Sequence, residues 1–234
     1  MGVVVTPLTP AFRLCLEEGS ATPPALVAVI DQIWAAEQAR RGGRLHNGSM
    51  LSFVRRDADC LYARRTDYRH FIAQRREPLL FAELQLKTLA VSGLARSADG
   101  LLFGLRSRQV TQDAGRWELV PSGGLSPPAG GSDLESTALV FEQCHVELEE
   151  ETGIPRSSVE SAQVFALVED LEAHVIDIGV ELSMRDFVAT REASTEYDRL
   201  LTVPIDALAD FCRDHDVIPV SRALLQTRGL IPAG

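Results

Sequence analysis

The sequence is short of positive charge: 23 Lys and Arg stand against 33 Asp and Glu, a formal net charge of −10 over 234 residues. Proteins that grip DNA or RNA by neutralising phosphates carry the opposite balance, so no nucleic-acid partner is expected. An anionic small molecule would need a local device, a metal ion or an arginine pair. No apolar run reaches the roughly 18 residues of a membrane helix, so no membrane association is expected. The start, MGVVVTPLTPAFR, lacks the basic segment and long apolar stretch of a signal peptide. A cytoplasmic location follows as the expectation. Cys15, Cys60, Cys144 and Cys212 form no CxxC pair, which argues against a zinc knuckle or a disulfide framework and for reduced, mostly buried thiols. His46, His70, His145, His174 and His215 show no metal-ligand spacing, and there is no internal repeat. What remains is ordinary globular composition, 45% hydrophobic and 24% charged.

The residues that are present read as mixed α and β. Pro23 and Pro24 open a helix on which Leu26, Val27, Ile30, Ile33 and Trp34 form a one-sided apolar stripe, and Gly42-Gly43 stops it. LHNGSMLSFVRR and CLYARR read as paired strands, followed by a short helix from Tyr68 to Arg76. KTLAVSGLARS and LLFGLRS form a hairpin around Ala98-Asp99-Gly100. Trp117 to Val120 is a short strand, and SGGLSPPAGGS after it is a loop. Ser132 or Asp133 caps a long helix ending at Thr152-Gly153. VESAQVFALVED, HVIDIGVELSM and YDRLLTVP are strands, and Asp206–His215 and Ser221–Thr227 closing helices. The first 22 residues read as a loose arm or a short edge segment. The expected organisation is an N-terminal extension over 1–83 (helix, strand pair, short helix) packing on a core domain over 84–234, with a boundary marked by Pro78 and the two parts free to share one sheet.

The chemistry concentrates in Glu147-Leu148-Glu149-Glu150-Glu151-Thr152-Gly153-Ile154. On a helix Glu147, Glu150 and Glu151 project from one face and repel one another. Hard oxygen donors grouped in this way suit Mg²⁺, or Mn²⁺. A solvated acidic surface would read the same from the run alone. The PSGGL loop ahead of the helix tips the balance, because glycine lets backbone approach a ligand closely.

VELEEETGI resembles the second half of the Nudix box, the motif of the Nudix hydrolases, with Glu147, Leu148, Glu150, Glu151, Gly153 and Ile154 on its pattern. Pro121 to Leu125 is similar to that family's loop ahead of its helix, and the hairpin over 86–106 to its opening strands. The likeness spans about residues 84–215. IDQIWAAEQAR, LHNGSMLSF, TDYRHF, GLRSRQV and WELVPSGGL resemble the UDP-sugar diphosphatase branch. The resemblance implies an α/β (α+β) fold, a Nudix-type α/β/α sandwich with a mixed sheet plus the N-terminal extension. It further implies Mg²⁺-dependent hydrolysis of a nucleoside diphosphate sugar, a UDP-sugar first, to a nucleoside monophosphate and a sugar 1-phosphate. ADP-ribose, a dinucleotide or a coenzyme A derivative are the other substrates it allows, as is a Nudix-like module that binds a nucleotide without cleaving it. A homodimer is common in the family.

The implied metal ligands are Glu147, Glu150, Glu151 and a main-chain carbonyl of Gly123 or Gly124. The base is Glu151 or Glu196. Arg106 and Arg108 follow a strand and are candidates for a phosphate, with Ser122 and Gly123 beside them. Trp117 is a candidate to stack on a base and Tyr68 to close over a sugar. Two positions depart from the box: its Arg falls on Val146, and its upstream Glu on Ala138, with Glu135 and Glu142 each about a turn away. The missing Arg normally orients a metal-binding glutamate, so some other group, His145 or an Arg from elsewhere, has to do so here.

Overall fold

The computed structural model describes residues 2–9, 11–19, 22–128, 137–185 and 195–233. Its elements, in chain order, are β1 (Val3–Pro7), β2 (Arg13–Leu16), α1 (Pro24–Arg40), β3 (Ser49–Asp57), β4 (Cys60–Asp67), α2 (Tyr68–Arg76), α3 (Phe81–Leu84), β5 (Thr88–Ser97) and β6 (Gly100–Arg106). They continue with β7 (Trp117–Leu119), β8 (Ser122–Gly124), α4 (Ala138–Thr152), β9 (Val159–Asp170), β10 (Val175–Met184), β11 (Tyr197–Val203), α5 (Leu208–Asp214) and α6 (Pro219–Thr227). Among the described residues the eleven strands join one mixed sheet, with main path β1-β9-β10-β5-β3-β4-β2. The β10–β5 and β2–β4 pairs are parallel and the others antiparallel.

The fold class is the one the residue pattern predicts, and the packing shows why. β9 and β10 carry long apolar runs, as strands covered on both faces do. On one face Val140, Cys144 and Leu148 of α4, one turn apart, pack with Leu89, Val91, Ile178 and Leu182. On the other, Leu208 and Phe211 of α5 and Leu224 and Leu225 of α6 pack with Leu94, Phe103 and Phe165. Helices on both faces of a mixed sheet make an α/β/α sandwich. A third, smaller cluster joins Ile30 of α1 to Ala73, Leu80, Leu84 and Leu86. No helix among the described residues is long and apolar enough to cross a membrane.

Residues on either side of position 83 lie in one sheet: Ser52 of β3 pairs with Thr88 of β5, and β1 pairs with β9. The first 16 residues thus supply both ends of the main strand path. Cys15 and Cys60 are disulfide-bonded between β2 and β4, with Cα atoms 6.6 Å apart, so only Cys144 and Cys212 match the expected buried thiols. A separation of 45 residues hid that pairing, which the parallel register of β2 on β4 creates. Ser122 to Gly124, expected as loop, forms a short strand against Ala90 to Ser92. Pro78 starts a 3₁₀ turn that runs into α3. The proposed caps Ser132 and Asp133, and Glu135, lie outside the described residues, within which α4 begins at Ala138.

Candidate active site

Strand β7 sets the site's orientation. Successive side chains on a strand face opposite ways. Trp117 and Leu119 join the α5/α6 cluster, and Glu118 between them points the other way, into the molecule. There it is ion-paired with Arg106 at the end of β6, whose Nε also donates to the Gln112 carbonyl at 3.0 Å. From β11 the Tyr197 hydroxyl reaches the same carboxylate, 2.6 Å from Glu118 Oε1, and stands 3.0 Å from Glu151 Oε1. The other oxygen of Glu151 accepts from the Ser122 amide at 3.1 Å.

Helix α4 delivers the acidic face. Val140, Cys144 and Leu148 anchor it in the core, and the helix ends at Gly153, whose φ is +70°. Its last turn therefore holds Glu151 inside, 3% exposed, while Glu150 faces solvent. Glu147, on the same flank, accepts from Gln143 Nε2 at 2.8 Å, an i,i+4 contact along the helix. Its carboxylate lies directly over Gly123 of β8, where a Cβ would run into it.

These carboxylates are held toward their protonated forms. Burial, followed by the charges of Glu196 and Glu150, pushes Glu147 up to about 7 against the opposing Gln143 bond. Burial, then the charges of Glu118 and Glu147, raises Glu151 well above the usual carboxylate range. Glu118 is raised by burial despite the Arg106 guanidinium. Grouped, partly desolvated carboxylates of this kind mark a place where positive charge is favourable. Among the described residues no three acidic, histidine or cysteine side chains form a ready-made ligand cluster. The donor chemistry nonetheless fits a hard divalent cation: carboxylate oxygens from one helix face beside a glycine backbone with no side chain to obstruct it.

Part of this group opens into a cleft of about 840 Å³, within the range of small-molecule sites. Glu147, Glu118, Ser122, Gly123, Gly124, Tyr68, Arg106 and Glu196 line it. Glu196 is exposed at its rim, where the Ser107 amide holds its main chain at 2.6 Å. Arg41 and Arg44, just past α1, also face the cleft. Tyr68 stands edge-on to Trp34, ring centres 6.2 Å apart.

Four of the expected site residues lie outside the lining of the cleft: Arg108, Trp117, Glu150, which faces solvent, and the buried Glu151. Arg108 is exposed and outside its lining, because β6 ends at Arg106 and a turn replaces the alternation that would have aligned the two. Trp117 is 7% exposed and packed against Phe211 at 5.3 Å, a core position rather than a stacking surface. Arg106 does line the cleft, but its charge is committed to Glu118. Among the described residues the buried Nδ1 of His145 has no hydrogen-bond partner. Sequence reasoning missed Glu118, Tyr197, Gln143, Arg41, Arg44 and Asp177. Glu118 and Asp177 left a signal, each an acid set between two large apolar residues in a strand.

The close approach at Gly123 yields a clean test. Gly123→Ala leaves the backbone at an ordinary φ and obliges only the end of the Glu147 side chain to move. Displacing a reacting group by about 1 Å costs on the order of 10²-fold in rate. Turnover of the variant is expected to fall by about that factor, with little change in its thermal unfolding midpoint; kinetics beside differential scanning fluorimetry check both.

No protein-family model matches the chain, and no curated protein matches it. Among solved structures it is similar to the MutT protein from Methanosarcina mazei Go1, 22% identical over 59% of this chain and 89% of that one, with a TM-score of 0.41. It is also similar to a Nudix hydrolase from M. smegmatis, 20% identical over 60% and 83% of the two chains, TM-score 0.42. A third likeness is to the NUDIX domain of Shewanella oneidensis NrtR complexed with ADP ribose, 16% identical over 65% of this chain and 96% of that one, TM-score 0.47.

Proposed function

We propose that the chain is a Nudix-type hydrolase that, with Mg²⁺ or Mn²⁺, cleaves the diphosphate of a nucleoside diphosphate sugar, a UDP-sugar first, into a nucleoside monophosphate and a sugar 1-phosphate. The observation that carries this reading is the convergence of Glu147 and Glu151 of α4 on the Ser122-Gly123 backbone, with Glu147, Ser122 and Gly123 lining the cleft. Acidic helices on a surface are common; one that buries two carboxylates against a glycine strand is not explained by solvation.

Glu147, Glu150, Glu151 and the main chain at Gly124 would hold the cation. When bound, it neutralises the diphosphate and opens a phosphorus atom to attack by water. The protein's own groups do the rest. Glu151 or Glu196 accepts the proton of the attacking water; burial raises the proton affinity of Glu151, which suits a base. Arg41 and Arg44 in the cleft lining offer positive charge to an anionic substrate, and Tyr68 offers a ring face or a hydroxyl to its sugar. Positioning and charge stabilisation, rather than covalent chemistry, carry phosphoryl transfer of this kind.

The test is incubation with Mg²⁺ and a panel of UDP-glucose, UDP-galactose, ADP-ribose and coenzyme A, with products separated chromatographically and an EDTA control. UMP and a sugar 1-phosphate, absent with EDTA, are the expected products. Turnover of another panel member would keep the chemistry and change the substrate. Nucleotide binding without turnover of anything would replace the enzyme by a binding module.

A further inference from the structure

The Nudix-box arginine that orients a metal-binding glutamate is absent, and Val146 in its place is 37% exposed on the helix surface. The brace comes from the sheet. Arg106 ends β6, Glu118 is the centre of β7 and Tyr197 begins β11, and β6 lies between the other two. Tyr197 pairs with Arg106 in the register, and Glu118 with Gly104. To reach Glu118 the tyrosine ring crosses β6 at Gly104, where a Cβ would run into the ring. Its hydroxyl then lies 2.6 Å from Glu118 and 3.0 Å from Glu151. Residues of three adjacent strands thus form one chain of contacts that reaches a single oxygen of Glu151 through the Tyr197 hydroxyl, and the Ser122 amide fixes the other.

We propose that Tyr197, Glu118 and Arg106 form a positioning relay that replaces the missing box arginine. Arg106 fixes Glu118, Glu118 fixes the Tyr197 hydroxyl, and the hydroxyl sets the orientation of Glu151. None of the three touches substrate in this role; they are positioning residues, and the role rests on the metal-dependent hydrolysis proposed above. Outer groups that orient metal ligands change affinity or activity by about 10- to 100-fold when removed. The half-buried Arg106 is accordingly assigned to the relay and not to a phosphate.

Tyr197→Phe removes the hydroxyl and nothing else. Three readouts on the full-length chain test the relay: Mn²⁺ affinity by electron paramagnetic resonance, steady-state kinetics with UDP-glucose, and a crystal structure. The expected result is Mn²⁺ binding weakened and kcat lowered, each by about 10-fold or more, KM nearly unchanged, and Glu151 displaced from the Ser122 amide. Glu118→Gln, which keeps an acceptor for the hydroxyl but loses the ion pair, is expected to move the same quantities in the same direction by less; it serves where Tyr197→Phe does not fold. A purely structural tyrosine would lower the unfolding midpoint and leave Mn²⁺ affinity and the Glu151 rotamer alone, which would overturn the relay. An active unsubstituted chain matched by Tyr197→Phe in all three readouts overturns the relay only. An unsubstituted chain that neither binds Mn²⁺ nor turns over substrate overturns the functional reading and the relay with it.

Discussion

Glu151→Gln is expected to lower turnover of the preferred nucleotide sugar by on the order of 10²–10³-fold, the loss typical of removing one electrostatic contact made in the transition state. Glutamine has the same shape and keeps an acceptor for the Ser122 amide or the Tyr197 hydroxyl, so the fold should persist. It loses the charge that would hold a cation and the basicity that would take a proton. Stability should move the other way. Burial and the neighbouring Glu118 and Glu147 charges raise the Glu151 carboxyl well above its ordinary range. A carboxyl raised in the folded state stays protonated there while its unfolded counterpart ionises, so its cost to stability grows as pH rises. The neutral amide carries no such cost. The variant should therefore match or exceed the unsubstituted chain in unfolding midpoint, with the margin wider at pH 8 than at pH 5. Kinetics and thermal scans at the two pH values decide it; unchanged turnover would make Glu151 a buried structural carboxyl with no part in the reaction.

Asp177→Asn is expected to stabilise the chain at alkaline pH by up to about 4 kcal/mol. Asp177 of β10 is 6% exposed, and its Oδ1 accepts from Ser92 Oγ at 2.8 Å. Burial, only partly offset by that bond, lifts it from an ordinary 3.8 to about 7. Below the ordinary value the side chain is neutral in both states and costs nothing. Between there and about pH 7 the unfolded chain ionises first, and stability falls by about 1.4 kcal/mol per pH unit. Above about pH 7 both states are ionised and the cost levels off. Asparagine keeps the acceptor for Ser92 and removes the titration. Urea unfolding of both proteins from pH 5 to pH 8.5 should show a gap that widens to about pH 7 and then holds. A gap independent of pH would mean that Asp177 is ionised throughout and that the serine bond outweighs burial.

What the residues disclosed in advance was what local spacing controls. The apolar runs of 159–170 and 175–184 declare buried strands, the 140-144-148 spacing declares the buried side of α4, and the Glu147, Glu150, Glu151 grouping follows from helical period. What stayed hidden depends on strand pairing between distant segments. Tyr197 meets Glu118 across 79 residues because β11 and β7 flank β6. Arg106 looked available for a phosphate because its partner is visible only once β7 is folded beside it. Trp117 looked like a stacking residue because nothing local announces that α5 covers it. Arg41 and Arg44 reach the cleft only through the placement of α1 against α2, which no spacing rule encodes.

The most direct measurement is ³¹P NMR of UDP-glucose incubated with the protein and Mg²⁺ in ¹⁸O-labelled water. The expected spectrum replaces the two coupled diphosphate resonances with two monophosphate resonances, one of them carrying the isotope shift of a single incorporated ¹⁸O. Diphosphate resonances that persist unchanged across the whole panel of nucleotide substrates, with Mg²⁺ in excess and the protein folded, would contradict the assignment of hydrolysis to this cleft.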